Sequence, residues 1–176
     1  MKRRFFMLAL ALGLVALLQG INLAQGNGNH DTFLFVAGEE AIVEGPDVAT
    51  APDGSTVTLS GDGAFKAGPN KFASGGGEYT VRDPAGNVVA SGDWTVTGVL
   101  GFVDYGDATP QGLPAFLHGG QLQLAVTLEG YDSGVLTVSC VLGKFPLGKE
   151  EGITLVLGQG GNFTKSTEGQ TVFIVP

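Results

Sequence analysis

The residues of this chain best equipped for chemistry cluster where a long apolar stretch runs into a loop. Asp104 and Asp107 flank Tyr105 and Gly106, and His118 follows in the same segment. Two carboxyls, a phenol and an imidazole in one place would suffice for acid–base work. A hydrolytic triad would also need an activated nucleophile, and the sequence has no GxSxG elbow to present one. Turn formation and solvation are the commoner duties of such aspartates, so catalytic residues are left unassigned. His30 beside Asp31 lacks a third ligand nearby, and no metal site is expected. Neither DYGD nor SGDG follows the twelve-residue calcium loop. The stretch GDGAFKAG lacks the spacing and the downstream Gly-Lys-Ser/Thr of a phosphate loop, so no cofactor is expected. Asn162-Phe-Thr164 satisfies the glycosylation sequon.

The aromatic residues offer the other kind of chemistry, a place for an apolar molecule. Tyr79, Trp94, Phe102 and Tyr105 fall on strand-like segments. Together they form the candidate ligand-binding set.

Composition bounds what these residues can serve. Lys2, Arg3 and Arg4 precede an apolar run from Phe5 to Leu18, the n-region and h-region of a secretory signal. Cleavage is expected after Ala24, which makes residues 1–24 a signal peptide. The alternative is an uncleaved signal that anchors the protein in the membrane. Residues 25–31, QGNGNHD, read as a flexible lead-in, and residues 32–176 as one domain. Of 9 basic residues three lie in the signal, leaving six against 17 acidic ones, a mature net charge of about −11. That balance argues against nucleic acid and against an anionic membrane surface once the signal is removed. The oligomeric state is open. Cys140 is the single cysteine, so an exported fold must be held by packing rather than by an intramolecular disulfide. It alternates with Leu136, Val138 and Leu142, as a small core hydrophobe would.

The elements that must position these residues read as strands. Residues 75–105 contain Asp83-Pro84-Ala85-Gly86, the residue types of a type I turn closed by a left-handed glycine, and so predict a hairpin running into the longest strand. In that strand Trp94, Val96, Gly98, Leu100 and Phe102 share one parity, predicted to face inward. Thr32 to Ala37 predicts a strand, Ala41 to Val43 a second apolar run, and Thr56 to Ser60 a third. Residues 67–77 read as a loop, and residues 106–120 as the longest loop, whose Leu113, Phe116, Leu117 and His118 either form an apolar rim or, the favoured reading, belong to a covering loop with Leu and Phe plugging the core. Leu122, Leu124, Val126 and Leu128 alternate inward. Further strands are predicted at residues 135–142, 153–157, around Phe163 and at residues 171–175. No segment after the signal carries a 3.6-residue apolar stripe.

The expected fold is therefore all-β: a single antiparallel β-barrel of about eight or more strands, preceded by the signal helix. A two-sheet β-sandwich is the alternative. Gly63-Ala-Phe65, Gly75-Gly-Gly77-Glu-Tyr-Thr80, Asp83-Pro-Ala-Gly86, Gly92-Asp-Trp94, Glu150-Glu-Gly152, Asn162-Phe163 and Thr171-Val-Phe-Ile174 resemble an uncharacterised family of small exported prokaryotic proteins. That resemblance implies architecture and no activity. Lipocalin and allene-oxide-cyclase barrels are similar as an analogy of fold alone. The functional expectation is an exported, secreted or periplasmic, non-enzymatic protein, with a small apolar molecule as its conceivable partner. A cyclase- or isomerase-like barrel enzyme acting on a hydrophobic substrate is the alternative.

Overall fold

The computed structural model describes residues 32–176. The expected signal peptide and lead-in lie outside the described residues. Eleven strands follow one another: β1 (Thr32–Ala37), β2 (Asp47–Thr50), β3 (Thr56–Lys66), β4 (Phe72–Arg82), β5 (Val88–Asp107), β6 (Leu117–Leu128), β7 (Asp132–Cys140), β8 (Gly152–Leu157), β9 (Asn162–Phe163), β10 (Lys165–Glu168) and β11 (Thr171–Ile174). Among the described residues the one helical segment is a 3-10 turn at Thr109–Gln111. All strand pairs are antiparallel and belong to one sheet.

The hairpin of β4 and β5 forms as its residue types require. The Gly86 amide donates to the Asp83 carbonyl at 2.9 Å, and the Asp83 amide donates to the Asn87 carbonyl at 2.9 Å. Asp83 Oδ1 accepts from the Ala85 and Asn87 amides, each at 2.9 Å. Gly86 sits at φ +87°, and the register shifts beside it, between Val81 and Arg82. This is the bulged turn that an Asp-Pro-Ala-Gly sequence selects.

The pairing closes on itself through six strands. β3 pairs with β4, β4 with β5, β5 with β6, β6 with β11, β11 with β1, and β1 again with β3. β3 and β6 each share one edge between two partners. Residues 61–66 of β3 take β1 and residues 56–59 take β2. Residues 117–118 of β6 take β11, and residues 120–128 take β7. The sheet thus forks twice, sending β2–β10 and β7–β8–β9 to the end away from β1 and β11. There β2 and β10 lie against β8 with no ladder between them.

Phenylalanines fill the ring at its closed end. Phe65 of β3 stacks on Phe33 of β1 at 5.3 Å between centroids. It meets Phe102 of β5 edge-on at 4.7 Å and Phe173 of β11 edge-on at 5.9 Å. Stacked and edge-to-face pairs at these separations add to the stabilisation from burial. Around them pack Leu59, Trp94, Leu122, Leu124, Leu136, Val138 and Leu155. Gly61 is required by this packing, because a Cβ there would lie 2.7 Å from the Trp94 ring. A second apolar cluster lies on the outer face of β1 and β11, where Val36, Val172 and Ile174 are covered by Val43, Ala108 and Leu117, with Leu113 and Phe116 packed against them.

Several expectations need correction. Ala41 to Val43 is not extended: the Ile42 and Val43 amides both donate to the Glu39 carbonyl, and the turn lowers Val43 onto the outer cluster. The real second strand, β2, begins four residues later. The triple glycine at residues 75–77 is strand rather than loop, since it pairs across β3 with Gly63, Asp62 and Gly61. The connection expected to be the longest loop is shorter than residues 106–120, because β5 runs to Asp107 and β6 starts at Leu117, and residues 141–151 between β7 and β8 form a longer one. Of its two readings the covering loop holds rather than the rim: Leu113, Phe116 and Leu117 belong to the outer cluster. The parity of β5 also breaks. Register shifts between Val96 and Gly98 and between Val99 and Gly101 turn Leu100 outward, leaving it 48% exposed.

Replacing Phe65 with Ala should destabilise the protein by about 3–5 kcal/mol. The exposed Val89→Ala should stay within about 0.5 kcal/mol. Urea unfolding followed by Trp94 fluorescence measures both, and equal effects would remove the phenylalanine cluster from the account.

Candidate functional site

The four aromatic residues nominated for ligand binding are placed as follows. Tyr79 is buried, its ring 6.4 Å from that of Tyr131, and its hydroxyl donates to the Glu129 carbonyl at 2.7 Å. Trp94 is buried beside Phe35, and its indole N–H donates to the Ser60 carbonyl at 2.9 Å. Phe102 lies among Phe33, Phe65 and Phe173. Tyr105 is buried, and its carbonyl accepts from the Lys144 amide at 2.7 Å. Burial raises the phenol pKa of both tyrosines. Tyr79, Trp94 and Phe102 are members of one packed core.

The residues nominated for acid–base work are brought together only in part. His118 Nδ1 lies 3.2 Å from Asp104 Oδ1, and the same oxygen accepts from the Gly106 amide at 2.7 Å. This pair is reachable from solvent, at 18% and 41% side-chain exposure. β5 and β6 place it by pairing Asp104 with Gly120 and Asp107 with His118. Asp107 does other work, accepting from the Thr109 hydroxyl and from the Thr109 amide, the latter at 2.8 Å. Those bonds, the hydroxyl's above all, hold its carboxyl below the usual range. Tyr105, which lies between the two aspartates in sequence, is buried. His30 lies outside the described residues.

A third site was not foreseen in the sequence. Asp47, the first residue of β2, is fully buried, and neither carboxyl oxygen has a hydrogen-bond partner. Glu151, the residue before β8, faces it from the β7–β8 connection. Glu151 is itself well satisfied: Oε2 accepts from the Val141 amide at 2.7 Å, and Oε1 accepts from the Thr171 amide at 2.8 Å. The Thr171 hydroxyl lies 2.8 Å from Oε1 and 2.7 Å from the Ser139 carbonyl, so it can donate to either. Cys140 is buried next to the same groups.

Glycines make room for the carboxyls. A Cβ on Gly169 would lie 2.5 Å from Asp47 Cα and 2.8 Å from its Cγ, and one on Gly152 would lie 3.6 Å from Asp47 Oδ1. Shallow clefts flank the pair. One, of about 160 Å³, is lined by Gln121, Ser139, Lys149, Gly152 and Ser166. The other, of about 360 Å³, is lined by Glu44, Pro46, Glu168 and Gly169.

Desolvation dominates the electrostatics. Burial, with Glu151's charge as the second cause, pushes Asp47 up to about 8. Burial also raises Glu151, against the opposing pull of its bonds from Val141 and Thr171. The Cys140 thiol is raised well above its usual value, first by burial and then by Glu151. At neutral pH the arrangement therefore holds a proton on Asp47. Among the described residues no group of three or more His, Cys, Asp or Glu is placed to hold a metal ion.

The sequence carried little sign of this site, because Asp47 and Glu151 lie at opposite ends of the domain and neither belongs to a periodic pattern. Gly45-Pro46 before Asp47 reads as turn punctuation, and Glu150-Glu151-Gly152 as a solvated run.

Glu151→Ala strips the acceptors from two shielded amides, those of Val141 and Thr171, and should destabilise the protein by about 2–5 kcal/mol. The neighbouring exposed Glu150→Ala should cost no more than about 0.5 kcal/mol in the same denaturation experiment. Set against protein-family models, curated proteins and solved structures, the chain matches none, and the reading of its sites rests on their geometry.

Proposed function

We propose that this chain is an exported, non-enzymatic β-barrel protein whose interior serves structure and whose working surface is its exterior. The observation that carries this reading is the phenylalanine cluster: Phe33, Phe65, Phe102 and Phe173, from four different strands, fill the closed end with their rings in mutual contact. The barrel we propose runs β10–β2–β3–β4–β5–β6–β7–β8, eight strands. Its circuit is completed by β8 packing on β2 and β10, with β1 and β11 bridging its other end. A barrel of this size has room for side chains alone or for one small ligand. A small apolar ligand against Tyr79, Trp94 and Phe102 would have to displace groups that already satisfy one another, which favours the structural form of the reading.

Export rests on the charged and apolar segments at the start of the chain. The acidic mature charge supports solubility and disfavours nucleic acid as a partner. The second reading, a barrel enzyme acting on a hydrophobic substrate, draws on one observation, the solvent-reachable Asp104–His118 pair. Tyr105, the third group it would use, is buried.

Native mass spectrometry of the protein purified from its source tests the structural reading. The expected spectrum shows the mass of the mature polypeptide alone. A retained small-molecule mass, lost on unfolding, would replace it with the ligand-binding form.

A further inference from the structure

Taking the exterior as the working surface, we propose that the closed end of the molecule docks on a bilayer surface bearing anionic phospholipid, where Phe145 and Leu147 enter the headgroup layer between lysines.

The connection from β7 to β8 is built as an apolar tip on a fixed base. At the base the Lys144 amide donates to the Tyr105 carbonyl at 2.7 Å. The Gln111 side chain donates to the Gly143 carbonyl at 2.9 Å and accepts from the Gly143 amide at 3.1 Å. At the tip Gly148 takes φ +80°, and the Lys149 amide donates to the Pro146 carbonyl at 3.4 Å, a turn that puts Leu147 at its apex. Leu147 is fully exposed, and Phe145, two residues earlier, is exposed as well. A base already ordered lowers the entropic cost of an encounter at the tip. Lys144 and Lys149 bracket the tip, and both are exposed. Amines on long apolar stems beside apolar side chains suit the boundary between hydrocarbon and headgroups.

The same end carries more residues of both kinds. β1 opens at Thr32 opposite Lys66, and Lys66 lies opposite Phe72 of β4. The Lys71 ammonium donates to the Leu100 carbonyl of β5 at 3.2 Å. Val103 of β5 pairs with Gln121, whose Oε1 accepts from the Lys149 ammonium at 3.3 Å. Phe72, Leu100 and Val103 are all exposed. Single exposed apolar side chains are ordinary on a soluble surface, whereas several gathered at one end call for a partner.

Two observations name the bilayer as that partner. The first is charge. The net charge of the mature chain speaks against an anionic surface, but that charge is unevenly placed. Lys66, Lys71, Lys144 and Lys149 are four of the six basic residues in 32–176. Of the acids at this end, Asp104 lies against His118 and Asp107 accepts from Thr109, while Glu150 is exposed beside Lys149. The turns before β3, after β4 and after β6 carry Asp53, Asp83 and Glu129. An anionic surface therefore repels those turns and meets amines at the closed end. The second is the path of the chain. Residues 1–31 enter the fold at Thr32, at this same end, and residues 19–31, between the apolar run and β1, reach at most about 45 Å. While the apolar run is attached, it tethers the protein with its lysine-bearing end toward the membrane.

The test uses the protein recovered after export, with Trp as the reporter, since Trp94 is buried and common to every variant. Leu147→Trp and, on the hairpin far from the tip, Val89→Trp are titrated with vesicles of phosphatidylcholine and phosphatidylglycerol in equal parts, with and without brominated chains. Emission of Leu147→Trp should shift to the blue and be quenched by the brominated lipid, while Val89→Trp stays unchanged. In the Leu147→Trp background, Lys144→Gln and Lys149→Gln should each weaken binding about fivefold, and vesicles of phosphatidylcholine alone should bind at least about tenfold more weakly. An unquenched Leu147→Trp, or equal quenching at both positions, would overturn the docking, as would titrations indifferent to phosphatidylglycerol. Emission of Leu147→Trp already shifted to the blue without vesicles would give the tip to a second copy or to the chain's own N-terminal segment, and would overturn it too. The structural reading of the interior fails on a different result, a retained small-molecule mass, which leaves the vesicle titrations as they are.

Discussion

The pairing of β11 with both β1 and β6 is the contact on which the rest of the structure depends. Without it the six-strand circuit stays open between β6 and β1, and exposed edges invite pairing with other chains. With it the sheet returns to β3 through β1. All four residues of β11 are buried, and each has a task. Phe173 enters the phenylalanine cluster, Val172 and Ile174 anchor the outer apolar cluster, and Thr171 gives its amide to Glu151. A ribbon covered on both faces reads as apolar throughout, as fully buried strands do.

The two ends of the molecule are held by different forces. At the end of β1 and β11, ladder hydrogen bonds and aromatic packing act together. At the forked end, β2 and β8 meet over a pair of carboxyls, one satisfied by two backbone amides and the other by none. Desolvation there outweighs every favourable contact to the charged form, so the second carboxyl is held neutral. A core built from Phe and Leu alone would be the simpler way to join these strands.

Much of the architecture was legible in the sequence, because strands and turns are written locally. Asp83-Pro-Ala-Gly86 dictated its bulged hairpin, and Leu122, Leu124, Val126 and Leu128 alternated inward as they do in β6. What failed were features set by partners distant in the chain. The glycines at residues 75–77 look like a loop until β3 presents its own glycines opposite them. The bulges of β5 reverse the facing of Leu100 without a residue type to announce them. Of the chemical residues, Asp104 and His118 could be singled out from their segment, but their pairing could not, since it is set by the β5–β6 register. Asp47 and Glu151 were not, because only the forked sheet brings them together.

A closed, filled ring gives the protein its rigidity, and its exterior carries the residues free to act: the Asp104–His118 pair and the clefts on either side of Asp47 and Glu151. Residue-resolved amide hydrogen exchange tests the central claim, closure through β11, most directly. The account predicts that the amides of β1 and β11 exchange only with global unfolding, as slowly as those of β3 and β6. Exchange of β1 and β11 well ahead of β3 and β6 would show an open meander with a loosely attached ribbon, and would contradict it.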